Sequence, residues 1–180
     1  MNDIEDKYKF LIDKAIGYME QCDDPVHGIG HILGVVENVK LLLKKCPDAN
    51  KEVCILSAYW HDVGRIKGKE GHEVRSAEML KKELISLNLD EAFIDGCYKA
   101  IYKHQGDCCE TIEGIIIRDA DKLDDLGLKR WQECIEKNVR LPRIIVGLRD
   151  KLLLDYSKLI YDDMVILWLN FLKGITLGEK

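Results

Sequence analysis

The chain is expected to fold as an all-α, single-domain bundle of about eight or nine helices, and three observations carry that expectation. Apolar residues recur at spacings of three and four, as in Ile32, Val35, Val36, Val39, Leu42 and Leu43, which makes one stripe along a helix. Strand-like alternation of apolar and polar residues is absent. Only three prolines, no long Gly/Ser stretch and no repeat period occur in 180 residues. That length suits one domain with a sizeable core, spanning residues 1–180.

The helical patterns run over Ile4–Met19, the stripe from Ile32 to Leu43, Glu52–Val63, His72–Leu87, Glu91–Lys103, Ile112–Asp125, Trp131–Lys137, Pro142–Tyr156 and Asp162–Lys173. Pro142 suits a first helical position, where its missing N–H costs nothing. Asn88 with Asp90, and Gly106 with Asp107, mark helix–helix connections. Gly64 is placed to end the Glu52–Val63 helix and leave His61 and Asp62 at its C-terminal end. Adjacent helical residues point about 100° apart, so both side chains reach one ion only if it sits off that end or between their directions.

A net charge of −5 and a pI near 5.6 argue against a protein that coats nucleic acid. They leave room for a locally positive phosphate pocket. The seven cysteines are odd in number and show no Cys-x-x-Cys spacing, so neither a disulfide framework nor a thiolate zinc site is expected. Reduced thiols fit a cytoplasmic protein. The polar, acidic N-terminus is unlike a signal peptide. The most apolar stretch, Met164 to Leu172, falls far short of the roughly 20 residues of a membrane span.

The most informative residues are His61 and Asp62, at the end of the apolar run Val53-Cys-Ile-Leu-Ser-Ala-Tyr-Trp-His-Asp-Val-Gly64. A carboxylate beside an imidazole is costly to bury without a compensating partner or metal. His31 upstream, and Asp119 and Asp121 in Ile115-Ile-Ile-Arg-Asp-Ala-Asp-Lys-Leu123, bring further nitrogen and oxygen donors into apolar surroundings. Periodicity favours Asp119 over Asp121, because Ile112, Ile115, Ile116, Asp119 and Leu123 form the better stripe.

The order and context of these residues resemble the HD-domain superfamily of metal-dependent phosphohydrolases. The resemblance rests on His31 in His-Gly-Ile-Gly-His-Ile-Leu-Gly-Val-Val, His61-Asp62 in Tyr-Trp-His-Asp-Val-Gly-Arg, and Asp121 in Arg-Asp-Ala-Asp-Lys-Leu-Asp-Asp. It implies an HD-type fold with His31, His61, Asp62 and Asp121 as metal ligands and Asp119 as a supporting or capping group. The ligand core would cover about residues 25–128, with C-terminal helices over 131–173 packing on it. Much of the family carries a basic residue three positions after the first ligand; here that place is Gly34, so no phosphate contact is expected from it.

His72 and His104 match positions that hold a second metal in some relatives. Alternatively, they surround a single ion, contact phosphate or protonate the leaving oxygen. The expected catalytic groups are therefore Asp62, His72, His104 and Lys122, with Arg65, His27 and Lys69 as candidate substrate contacts. A mixed His/carboxylate set without thiolates favours Mn²⁺ or Fe, with Mg²⁺, Ni²⁺, Co²⁺ or Zn²⁺ as alternatives and one or two ions bound. The implied activity is hydrolysis of a nucleotide or other small phosphoester by metal-activated water. Two alternatives are a non-catalytic metal- or nucleotide-binding domain and a di-iron oxygenase. Trp131, Tyr156, Tyr161, Trp168 and Phe171 are read as packing residues, lining either the pocket or a homodimer contact.

Overall fold

A computed structural model describes residues 2–24, 26–102, 104–106, 109–139 and 147–177. Pro142, Lys103, Asp107 and Cys108 lie outside these residues. Among the described residues there is no strand, and ten α-helices follow one another. They are α1 (Asn2–Lys7), α2 (Lys9–Met19), α3 (Ile29–Leu42), α4 (Lys51–Trp60) and α5 (His72–Ser86). The rest are α6 (Glu91–Ile101), α7 (Ile112–Leu123), α8 (Leu128–Glu136), α9 (Leu148–Lys151) and α10 (Asp155–Leu177). Short 3₁₀ turns cover Val63–Lys67 and Asp124–Leu126.

Three helix starts are written locally. Asn50 accepts hydrogen bonds from the Glu52 and Val53 amides, Asp90 from Ala92 and Phe93, and Thr111 from Gly114. Each satisfies amides that have no partner within their own helix. The start of α3 has no such local cap. Glu133 of α8 instead accepts from the Gly30 amide at 2.7 Å, placing a carboxylate where the helix dipole favours one.

Helix α4 is the buried centre, with every residue from Val53 to Trp60 removed from solvent and α2, α3, α6 and α7 packed around it. The Trp60 indole N–H donates to the Leu11 carbonyl at 3.1 Å, so its one polar group is satisfied.

Four boundaries differ from the sequence reading. Tyr8 (φ −106°, ψ 18°) divides the first pattern into α1 and α2. Helix α4 stops at Trp60, and Gly64 lies inside the following 3₁₀ turn rather than terminating the helix. Gly64 is needed for close approach instead: a Cβ there would lie 2.3 Å from the His72 carbonyl oxygen. The expected Pro142–Tyr156 helix reduces, within the described residues, to Leu148–Lys151 and a break before α10. Asp119 accounts for the break, because its carboxylate accepts the Leu153 and Leu154 amides at 2.9–3.1 Å. Those amides are thereby held out of a continuous helix, and α10 absorbs the final Asp162–Lys173 pattern.

No described helix is long and apolar enough to cross a membrane. Trp131 and Trp168 pack edge to face at 5.1 Å, and their indole N–H groups donate to the carbonyls of Asp125 and Leu126. These two aromatic residues therefore brace the 3₁₀ turn that follows α7. Tyr156 lies under Lys45, Tyr161 is half-buried, and Phe171 is exposed.

Candidate metal centre

The end of α4 sets the geometry. His61 keeps helical angles as the last residue of the turn, whereas Asp62 opens to φ −109° and ψ 0°. Their side chains thus converge beyond the helix end, where α3, α5, α7 and the residue after α6 bring the other donors. His31 Nε2 lies 3.3 Å from His61 Nε2, 3.3 Å from Asp121 Oδ1 and 3.6 Å from Asp62 Oδ2. His72 Nε2 and His104 Nε2 lie 2.9 and 4.0 Å from Asp62 Oδ1.

Every one of these four imidazoles is fixed through its other nitrogen. Nδ1 of His61, His72 and His104 meets the carbonyls of Ala58, Lys69 and Ile101 at 2.7, 2.7 and 2.9 Å. A carbonyl only accepts, so these rings carry their proton on Nδ1 and turn a lone pair inward at Nε2. Nδ1 of His31 meets Asp124 Oδ2 at 2.7 Å, the carboxylate–histidine arrangement that raises ligand basicity at metal sites.

Electrostatics follow from burial and crowding. Burial pushes His61 down to about 3 and lowers His104 as well, so both rings are neutral at neutral pH. Burial also opposes charge on His31, but Asp121, Asp124 and Asp62 outweigh it and hold that ring protonated well above the usual histidine range. For Asp62, burial works upward, while His61, His31, His72 and the Arg65 guanidinium together hold it well below the usual carboxylate range. Asp121 is likewise lowered, its histidine neighbours overcoming burial.

A cation fits this arrangement. His31, His61 and Asp121 form one group of donors within 4.8 Å of one another, and His61, Asp62 and His104 form a second. Asp62 Oδ1, His72 Nε2 and His104 Nε2 are buried without a hydrogen bond; the short His72–Asp62 approach lacks hydrogen-bond geometry. Buried polar atoms without partners are rare and costly, and a metal ion among them removes that cost. Imidazole nitrogen and carboxylate oxygen are donors for a divalent transition ion.

The match to the HD domain covers residues 28–126, more than half of the chain. The chain belongs to the HD-domain family. Membership places it among metal-dependent hydrolases, and it agrees with the donors assembled above. The fold is similar to that of a predicted HD superfamily hydrolase from an uncultured Thermotogales bacterium, with a TM-score of 0.74 at 20% identity over 96% of this chain and 92% of that one. A Lactobacillus plantarum protein gives a TM-score of 0.65 at 15% identity over 97% of each chain. The chain matches no curated protein sequence.

In this HD domain the other expected site residues divide. His27 stands edge to face against His31, with ring centroids 5.2 Å apart, and Lys122 lines a cleft that Asp121 also borders. Arg65 is buried and committed to Asp62 and Asp24, so it orients the Asp62 carboxylate. The Lys69 side chain is exposed, and only its carbonyl serves the centre, through His72. Asp119 is fully buried and turned to the entry of α10, which makes it the capping group and leaves Asp121 at the centre.

Sequence reasoning missed three neighbours. Asp124 sits three residues after Asp121, the spacing of one helical face, and this signal was legible. Arg118 donates from Nε to the Gly106 carbonyl and from Nη1 to the Lys151 carbonyl, tying the segment after His104 to the α9–α10 junction. Arg130 reaches the centre from α8 by tertiary packing alone, and no local pattern marks it.

Proposed function

We propose that this HD domain is a metal-dependent phosphohydrolase acting on a nucleotide or another small phosphoester. The observation that carries the reading is the junction of two environments. A fully buried set of orphaned nitrogen and oxygen donors opens, at Asp121, into a polar cleft of about 260 Å³ that contains Lys122 and Arg130. Asp121 is the one partly exposed member of the donor set, its side chain at 21%, while His31, His61, Asp62, His72 and His104 stand at 1% or less.

His31, His61, Asp62 and Asp121 would hold the ion, with Mn²⁺ or Fe favoured. When bound, a divalent metal supplies Lewis acidity and lowers the pKa of a coordinated water. The chain's own groups do the rest. Arg65 keeps Asp62 ionised and aimed, and Asp124 keeps His31 aimed. His72 and His104, whose Nδ1 protons are given to carbonyls, turn lone pairs inward and would add donors for a second ion beside Asp62; in this tautomer Nε2 has no proton to deliver to a leaving oxygen. The surrounding cations oppose charge that builds on phosphoryl oxygens.

The test is product analysis of the Mn²⁺-loaded protein with nucleoside mono-, di- and triphosphates, a cyclic nucleotide and a generic phosphodiester. Turnover that vanishes in Asp62→Ala supports the proposal, and the products name the bond cleaved. Equal turnover in that variant would sink it. So would no turnover across the panel with metal demonstrably bound.

A further inference from the structure

We propose that Lys122 and Arg130 form the phosphoryl-binding wall of the cleft beside Asp121, replacing a cation that position 34 of α3 has no space to carry. The proposal rests on the phosphohydrolase reading and assigns the anion contact within it.

The argument starts at Gly34. A Cβ at this position would lie 1.9 Å from Asp124 Oδ1, and Asp124 is the carboxylate that holds His31 Nδ1 at 2.7 Å. A basic side chain at position 34 and the Asp124–His31 contact therefore exclude each other. This chain keeps the contact, so the substrate's negative charge must be met from elsewhere.

The other described cations near the centre are already committed. Arg65 serves Asp62 and Asp24. Arg75 donates to the carbonyls of Gly64, Gly68 and Glu70 and so ties the loop before α5. Arg118 serves Gly106, Lys151 and Asp119. Lys69 is exposed on its loop.

Lys122 and Arg130 differ from these in lining the cleft that Asp121 borders. Among the described residues, the cleft is lined by His27, Gln105, Asp121, Lys122, Asp125 and Arg130. Lys122 follows the ligand Asp121 directly and makes no hydrogen bond or ion pair within the described residues. Its ammonium lies within reach of whatever enters. Arg130 is 4% exposed and hydrogen-bonded to the Val26 carbonyl at 2.8 Å, Asp125 Oδ1 at 3.0 Å and His27 Nε2 at 3.3 Å, with Asp124 Oδ2 a further 3.8 Å from Nη1.

Guanidinium offers five N–H groups and only donates. Three hydrogen bonds leave one N–H on each terminal nitrogen, the one on Nη1 drawn also toward Asp124, and a guanidinium fork of this kind suits two oxygens of a phosphoryl group. Because Arg130 donates, His27 Nε2 must accept, which places the His27 proton on Nδ1, 3.0 Å from Asp24 Oδ2. Asp125 and Asp121 supply negative charge to the same cleft. Asp125 is offset by Arg130, and Asp121 by the ion it helps to hold. His27 and Asp125 thus act as positioning residues that aim Arg130.

Inorganic phosphate is the probe, titrated calorimetrically into the Mn²⁺-saturated full chain. Lys122→Gln and Arg130→Gln are each expected to weaken phosphate binding by roughly tenfold or more, as loss of a charge-assisted hydrogen bond requires. Both should leave Mn²⁺ content unchanged, and Arg130→Lys should recover part of the affinity. Lys122 is half-exposed, so Lys122→Gln tests the wall even where Arg130→Gln fails to fold. Wild-type affinity in Lys122→Gln and in a folded Arg130 variant overturns the proposal, as does a wild-type protein that binds no phosphate. Failure of the broader reading looks different: the wild type then hydrolyses nothing in the substrate panel. Turnover with wild-type KM in the variants means the reaction stands and this wall does not.

Discussion

On one side of the centre, four imidazoles are buried and pinned through Nδ1, three by backbone carbonyls and one by Asp124. On the other, Asp121 is partly exposed, Lys122 has no described partner, and Arg130 is steered by His27 and Asp125. The difference separates two tasks. Donors whose rotamers and tautomers are fixed in advance lose little freedom when an ion arrives, which favours tight and selective metal binding. Cations with donors to spare accommodate an incoming anion and let a product leave.

The comparison breaks most visibly at His61, which belongs to both donor groups. Loss of a group that merely supports a ligand costs about 10–100-fold in metal affinity. His61→Ala removes a ligand itself and should therefore cost roughly 1,000-fold or more by the same scale. Titration of Mn²⁺ into the metal-stripped variant checks this, and an affinity within tenfold of wild type means the donors are assigned wrongly. Asp124→Asn sharpens the point. It keeps the shape between Gly34 and Gly127 but removes the charge opposite His31 Nδ1, so a loss of about 10–100-fold in Mn²⁺ affinity is expected. An unchanged affinity would show that His31 needs no carboxylate behind it.

Asp119 and Asp121 repeat the contrast within one helix. Asp119 accepts two amides at the entry of α10 and the guanidinium of Arg118. Asp119→Asn should lower stability by about 1–3 kcal/mol, the range for disrupting a buried hydrogen-bonded charge. Its metal affinity should stay near wild type. Asp121→Asn should do the reverse, losing metal while the thermal midpoint of the apo protein holds. Paired melting curves and Mn²⁺ titrations read both outcomes, and a shared phenotype would erase the distinction.

A pH series probes His31. Its surrounding carboxylates hold the ring protonated above the usual histidine range, and an ion at Nε2 must displace that proton. Below the raised pKa the proton competes, so Mn²⁺ affinity should fall as pH falls, by roughly tenfold per unit for one displaced proton. The dependence should flatten once pH exceeds that pKa. Calorimetry in buffers of different ionisation enthalpy counts the protons released, and none released at pH 6.5 would contradict the protonated ring.

Much of the donor wall was legible because it is written in short segments. The His61-Asp62 pair stands in a buried run, His31 on a helical stripe, and each segment keeps its side chains on a predictable face. Periodicity was less informative at α7. It favoured Asp119, and Asp119 is indeed the more buried carboxylate, but that burial serves α10 rather than the ion. Gly64 misled for a related reason: glycine marks a helix end or a close approach with the same letter, and here it is the approach of α5. The cation wall was half legible. Lys122 adjoins a motif residue, whereas Arg130 comes from a helix whose placement depends on Glu133 reaching the Gly30 amide.

Lys69 marks the smallest effect and the boundary of the comparison. It lies beside the donor wall in sequence, and as a lysine in a phosphate-handling protein it invites assignment to substrate. Its carbonyl, however, is what fixes His72 Nδ1, and its side chain points to solvent. Any residue except proline offers the same carbonyl with little change to the local backbone. Lys69→Ala should therefore change KM and kcat by no more than about twofold, as for a surface substitution within ±0.5 kcal/mol. A tenfold rise in KM with kcat preserved would show that the loop before α5 folds its lysine over the bound substrate. The cation wall would then extend around to the donor side, and the division of labour between the two walls would no longer hold.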